Sequence, residues 1–138
     1  MRILGLDVGS HTIGVACSDA LLITAQGVET IRRQSKAKDF ARLTEIIKEK
    51  EVHCIVVGKP RHMNGDRSEN IDRIEHFVEE MVKVIPQVRI EYWDERLTTV
   101  MAHRELIAAN VRRDKRKQVV DKMAAVFILQ SYLDAQGG

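Results

Sequence analysis

The sequence predicts an α/β fold with the element order βββαβαβαα, and three observations carry that expectation. An aliphatic run, "RILGLDV", opens the chain and is followed by two further strand-like segments across short turns. A fully apolar run, "HCIVVG", reads as a strand buried on both faces of a sheet. Between and after these runs, apolar residues recur at helical spacing. With 138 residues, 44% of them hydrophobic and 30% charged, the chain suits a single domain with a sizeable core over residues 1–138.

Taken in order, residues 2 to 8, 12 to 18 and 22 to 31 are expected as strands, the first two joined by a tight turn at Gly9-Ser10 to begin an antiparallel meander. Ser35 caps a helix whose apolar face is Phe40, Leu43, Ile46 and Ile47. The fourth strand, residues 53 to 58, completes a β-α-β unit. After the Gly/Pro loop "GKPRHMNGDR", a second helix places Ile71, Ile74, Phe77, Met81 and Ile85 on one face, and Pro86 stops it. "VRIEYWDER" is the fifth strand. A third helix is expected from Thr98 or Thr99 to about Ala109, then a basic loop, then a last helix from about Gln118 to Ala135. No membrane span or secretory signal is expected, and a cytoplasmic location follows. Cys17 and Cys54 each fall inside a strand and match no zinc or redox spacing, so buried free thiols are expected.

Ligands of open α/β sheets collect beyond the carboxyl ends of the parallel strands, and three places put acids there. Alternation along the first strand sets Leu4, Leu6 and Val8 on one face and Ile3, Gly5 and Asp7 on the other, with Gly5 leaving space beside Asp7. The fifth strand ends in Asp94-Glu95-Arg96. Asp121, in the first turn of the last helix, lines up with Ala125, Ile128 and Tyr132, while Ala124 and Ala125 allow that helix close to the sheet. Each acid has a plainer use, as a strand-end turn residue or a helix-dipole partner. Together, near apolar faces where an unpaired carboxylate is costly, they suit a hard divalent cation such as Mg²⁺ or Mn²⁺. Two such ions about 3.5–4 Å apart would activate water for attack on a phosphodiester.

"LGLDVGSHTIGVACSD", "VVGKPRHMNGD", "WDERLTT" and "VVDKMAAVFIL" resemble, in order and spacing, the four motifs of the YqgF family of pre-16S rRNA nucleases, also called Holliday junction resolvase-like proteins. The resemblance covers nearly the whole chain. It implies a ribonuclease H-like fold, a five-stranded mixed sheet flanked by helices. It also implies catalytic metal ligands at Asp7, the Asp94-Glu95 pair and Asp121, and processing of the 5′ end of 16S ribosomal RNA. The fourth strand ends here without the glutamate found in the resolvases proper, so the middle ligand must come from the fifth strand. Glu95 is preferred for its longer arm, with Asp94 a close rival.

Net charge is only +2, but "RRDKRK" at 112 to 117 holds five basic residues against one acid. Lys59, Arg61 and Arg67 lie in the Gly/Pro loop, and Arg96 follows the acidic pair. With Arg112, Arg113, Lys115, Arg116 and Lys117 they flank the acids and suit backbone phosphates of structured RNA or branched DNA, read by shape rather than sequence. Aromatics at 4% supply no base-stacking platform. Ribosomal particles are a candidate partner, and nothing in the pattern chooses between a monomer and a homodimer. Two other classes compete. The "DVGSHTIGVA" hairpin also resembles the first phosphate loop of actin-like ATPases and sugar kinases, which need a second lobe that 138 residues do not provide. A non-catalytic nucleic-acid or ribosome-associated module would keep the fold without the acids' chemistry, and a Holliday junction resolvase-like DNA endonuclease would keep both with another substrate.

Overall fold

The structure, a computed structural model, describes residues 1–59, 69–94 and 113–137, with the backbone alone at 69, 113–122 and 137. Five strands form one sheet: β1 (Arg2–Val8), β2 (Thr12–Ser18), β3 (Ala25–Arg32), β4 (Val52–Lys59) and β5 (Arg89–Asp94). Their spatial order is β3-β2-β1-β4-β5. The first three pair antiparallel, and β1, β4 and β5 pair parallel, so the sheet is mixed as the motifs implied. Helices α1 (Lys36–Lys50), α2 (Glu69–Val84) and α3 (Arg113–Gly137) complete the described chain. The expected helix from Thr98 or Thr99 to Ala109 lies outside the described residues.

Period-2 alternation decides which layer each strand residue meets. Leu4, Leu6, Val8, Ile55 and Val57 face one way, into a core built with Phe40, Leu43, Ile46 and Ile47 of α1 and Ile74, Phe77 and Met81 of α2. Ile3, Ala16, Cys54 and Val56 face the other way, against Ala125, Ile128, Leu129, Tyr132 and Leu133 of α3. These α3 positions recur at three- and four-residue spacing, which puts them on one stripe. Each large aliphatic buried there contributes about 1.5–3 kcal/mol.

Local chemistry sets the boundaries. Ser35 sits in extended conformation and its hydroxyl accepts from the Lys38 N–H, capping α1 as its sequence position suggested. The helix ends at Glu51, left-handed at φ 56°, whose N–H returns to the Ile47 carbonyl. The third strand begins at Ala25 rather than residue 22. Asp19 Oδ1 accepts from the backbone N–H of Ile23 at 2.7 Å and Thr24 at 3.1 Å, and Leu22 turns at φ 61°, so a side-chain-closed turn overrides the strand preference of Leu21-Leu22-Ile23. At the other end of the chain, α3 starts at Arg113 instead of Gln118. The basic run is therefore helical from its second residue, because Arg, Lys and Gln are strong helix formers and need only extend a helix that packing has nucleated.

The space expected beside Asp7 at Gly5 is filled by α3. A Cβ on Gly5 would lie 2.7 Å from Leu129 Cβ and 3.0 Å from the Ala125 carbonyl oxygen, both rigid parts of the helix. One on Gly58 of β4 would instead collide with Ile128 Cδ1, the free end of a side chain. Gly5→Ala is therefore expected to cost about 1–3 kcal/mol by forcing the whole helix outward, and Gly58→Ala about 1 kcal/mol by changing one rotamer. Urea unfolding of both variants checks the order. Equal costs would mean that α3 does not rest on Gly5.

Candidate active site

Asp7 stands at the carboxyl end of β1, half-buried, on the face that α3 covers. Small residues surround it. Its β-sheet partner is Gly14, where an added Cβ would lie 3.6 Å from Asp7 Cβ and 3.4 Å from Ala125 Cβ. The helix runs against the strand direction, meeting Gly5 at Leu129 and Ala125 and the Asp7–Gly14 pair at Ala125. Asp121 lies four residues before Ala125, about 6 Å further along the axis, so the backbone of α3 carries it beyond Asp7 at the same edge of the sheet.

β5 carries the next candidates. Glu91 and Trp93 face α3, since Tyr132 O–H donates to the Glu91 carboxylate and Trp93 Nε1–H donates to Ser131 Oγ at 2.9 Å. The Trp93 and Tyr132 rings meet edge to face, centroids 5.5 Å apart. Asp94 consequently falls on the opposite face, with Ile90 and Tyr92. Glu95 and Arg96 lie outside the described residues, as do Arg61, Arg67 and Arg112. Arg113, Lys115, Arg116 and Lys117 are placed by backbone in the first two turns of α3.

Lys59 also sits away from Asp7. Its ammonium lies 4.1 Å from the Tyr92 ring centroid and 3.9 Å from Glu75 Oε2 of α2, with about a fifth of the side chain exposed. It would have to leave both partners to reach a phosphate on the α3 side. Among the described residues no three His, Cys, Asp or Glu side chains form a metal-binding group. The thiols of Cys17 and Cys54 are buried within the sheet and pushed up from their ordinary pKa, chiefly by that burial.

The α3–β5 clasp is a feature that the sequence did not signal. Tyr132 was legible as a buried helical position, but nothing in the pattern paired it with Glu91, or Ser131 with Trp93. Nor did anything mark Arg33, whose Nη1 donates to the Gly9 carbonyl at 2.8 Å, two residues beyond Asp7.

Residues 1–135 match the family described as RuvX: Holliday junction resolvase. The chain belongs to the RuvX family. Two relatives carry the name "Putative pre-16S rRNA nuclease". The protein of Clostridioides difficile is 53% identical over 133 residues, covering 96% of this chain and 94% of its own length. That of Heliobacterium modesticaldum is 54% identical over 139 residues, covering 99% and 91%. Among solved structures, Thermus thermophilus RuvC in complex with a Holliday junction substrate superposes with a TM-score of 0.62 at 16% identity, covering 100% of this chain and 96% of that one. The fowlpox virus Holliday junction resolvase gives 0.53 at 13%, covering 99% of each chain. These likenesses bear out the resolvase-like, ribonuclease H-like fold of this RuvX chain.

The clasp has a pH signature. Burial, then the hydrogen bond and charge of Glu91, push the Tyr132 phenol from 10.0 up to about 12. A phenol loses its proton to become charged, so the unfolded chain ionises first. The stabilisation is complete below pH 10 and is lost as pH rises through about 12. Tyr132→Phe is expected to cost about 1 kcal/mol at neutral pH and to remove the later phenolate step in an absorbance titration. Loss of a step near 10.0 instead would show that Tyr132 ionises as an ordinary phenol.

Proposed function

We propose that this RuvX chain is a divalent-metal-dependent nuclease that hydrolyses phosphodiester bonds of structured nucleic acid, with processing of the 5′ end of pre-16S ribosomal RNA as its task. The observation that carries the reading is the seating of Asp7 on the α3 face beside Gly14, which itself borders Ala125, with the Asp121 turn of α3 just beyond. The substrate rests on the names of the full-length relatives at 53% and 54% identity.

The donor set fits a hard cation. Asp7 offers carboxylate oxygen, Gly14 and Ala125 put no bulky group beside it, and neither thiol reaches the edge. Asp7, Glu95 and Asp121 would hold Mg²⁺ or Mn²⁺, which supplies charge to the phosphate and lowers the pKa of an attacking water. Glu95 is favoured over Asp94 because Asp94 shares the Tyr92 face, away from Asp7. Arg96 pairs with a phosphate or with one of the acids. Arg61, Arg67, Arg112, Arg113, Lys115, Arg116 and Lys117 neutralise and orient the backbone of the bound strand, and Lys59 joins them only by leaving Glu75 and Tyr92. In α3 the cations stand near a helix N-terminus, where their repulsion from the dipole is relieved when an anion docks. The work is placed in the cytoplasm, on RNA alone or on ribosomal particles. Among the described residues no helix is long and apolar enough to cross a membrane.

Cleavage of a precursor RNA carrying the 5′ leader of 16S, beside a four-way DNA junction, tests the reading. RNA cleavage that requires Mg²⁺ or Mn²⁺ and falls at least 100-fold in Asp7→Asn, Glu95→Gln and Asp121→Asn is the expected result. Junction cleavage without RNA cleavage would move the task to DNA, and an active Glu95→Gln with an inactive Asp94→Asn would reverse the choice between neighbours. Replacing Arg112, Arg113, Lys115, Arg116 and Lys117 by Gln should weaken RNA binding and flatten its dependence on salt, since fewer counterions are released. A salt slope identical to the wild type would reduce that run to a solvated helix end.

A further inference from the structure

The β1–β2 turn that follows Asp7 is held from the opposite side of the sheet. Arg33, just after β3, donates from Nη1 to the Gly9 carbonyl at 2.8 Å. Its Nε lies 3.8 Å from Asp39 Oδ2 in the first turn of α1, and its guanidinium carbon lies 5.3 Å from the Phe77 ring centroid of α2. The Asp39 side chain is 4% exposed and that of Arg33 19%, so the pair is shielded from water and its attraction is screened less than that of a surface pair. Asp39 also accepts the Gln34 N–H at 3.3 Å, fixing the link between β3 and α1. Two backbone bonds finish the assembly: Arg33 N–H to the His11 carbonyl and Gly9 N–H to the Thr12 carbonyl, each 2.8 Å.

The three residues that join β1 to β2 lie at the rim of the sheet, and Asp7 is two residues before the first of them, Gly9. We propose that Arg33 is a positioning residue: by tying the Gly9 carbonyl to Asp39 and Phe77 it fixes the end of β1, and with it the Asp7 carboxylate, from the α1–α2 side while α3 packs on the other. Arg33 acts through the Gly9 carbonyl, and its role rests on the proposed use of Asp7 as a metal ligand. A rotamer-free end of β1 would leave the carboxylate to be ordered by the cation itself, at a cost in affinity.

The test compares the full chain with Arg33→Ala and with the double variant Arg33→Met/Asp39→Asn, which keeps an apolar stem on Phe77 and strands no buried carboxylate. Three readouts are taken: amide exchange at Gly9, the Mn²⁺ concentration giving half the maximal rise in melting temperature, and kcat and KM on RNA. Both variants should exchange the Gly9 amide at least tenfold faster, with β4 amides unchanged. They should need about five- to tenfold more Mn²⁺ and lose kcat with KM within twofold, and Arg33→Lys should recover part of each effect by keeping one donor. Faster exchange with an unaltered Mn²⁺ midpoint, or unaltered exchange, overturns the bracing role alone. A wild type with neither Mn²⁺ response nor cleavage overturns the nuclease reading instead.

Discussion

The approach of α3 to the bare backbone of β1 is the constraint on which the rest of the structure depends. Gly5 offers no Cβ, so Leu129 and the Ala125 carbonyl come down onto the strand itself. Gly14 and Gly58 extend the same low surface to the neighbouring strands. A helix seated so closely cannot slide without driving Cβ atoms into backbone, and close packing makes such displacements costly. The turn bearing Asp121 is thereby set at the edge where Asp7 ends its strand.

Two sets of interactions hold that arrangement in register. On the α3 side, Tyr132–Glu91 and Ser131–Trp93 tie the helix to β5, the strand that leads to the Asp94-Glu95 pair. On the other side, the Arg33–Asp39 pair ties the β1–β2 turn to α1. Hydrogen bonds of this kind contribute about 0.5–1.5 kcal/mol each, which is small beside the apolar burial. Their value is directional, since burial alone would leave the helix free to rotate.

The fold was legible because its signals are local. Alternation in "RILGLDV", helical spacing from Phe40 to Ile47, and the cap at Ser35 each follow from a few adjacent residues. Where the reading went astray, a side chain had overridden a propensity, as Asp19 does in delaying β3 to Ala25. In the other case a charge run was taken for a loop although its residues favour helix, as at Arg113–Lys117. At the site, the sequence pointed to carboxylates near the ends of parallel strands and to Asp121 as a first-turn residue of the last helix, but because that helix begins at Arg113, Asp121 stands eight residues inside it. The role of Gly5 was mistaken because an absent side chain reads equally as room for a ligand or room for a helix. The Arg33 brace and the Glu91–Tyr132 bond join residues 24 and 41 positions from their partners, and pattern along one chain has no means to pair them.

The central claim is that the acid ending β1 is a cation ligand and not a strand-end turn residue. Thermal melts of the wild type and Asp7→Asn, each with and without millimolar Mn²⁺, address it directly, because an ion that binds only the folded state raises its melting temperature by mass action. The account predicts a metal-dependent rise in the wild type that Asp7→Asn abolishes without losing its fold. A mutant that is destabilised in the absence of metal yet shows the full wild-type response to Mn²⁺ would contradict it.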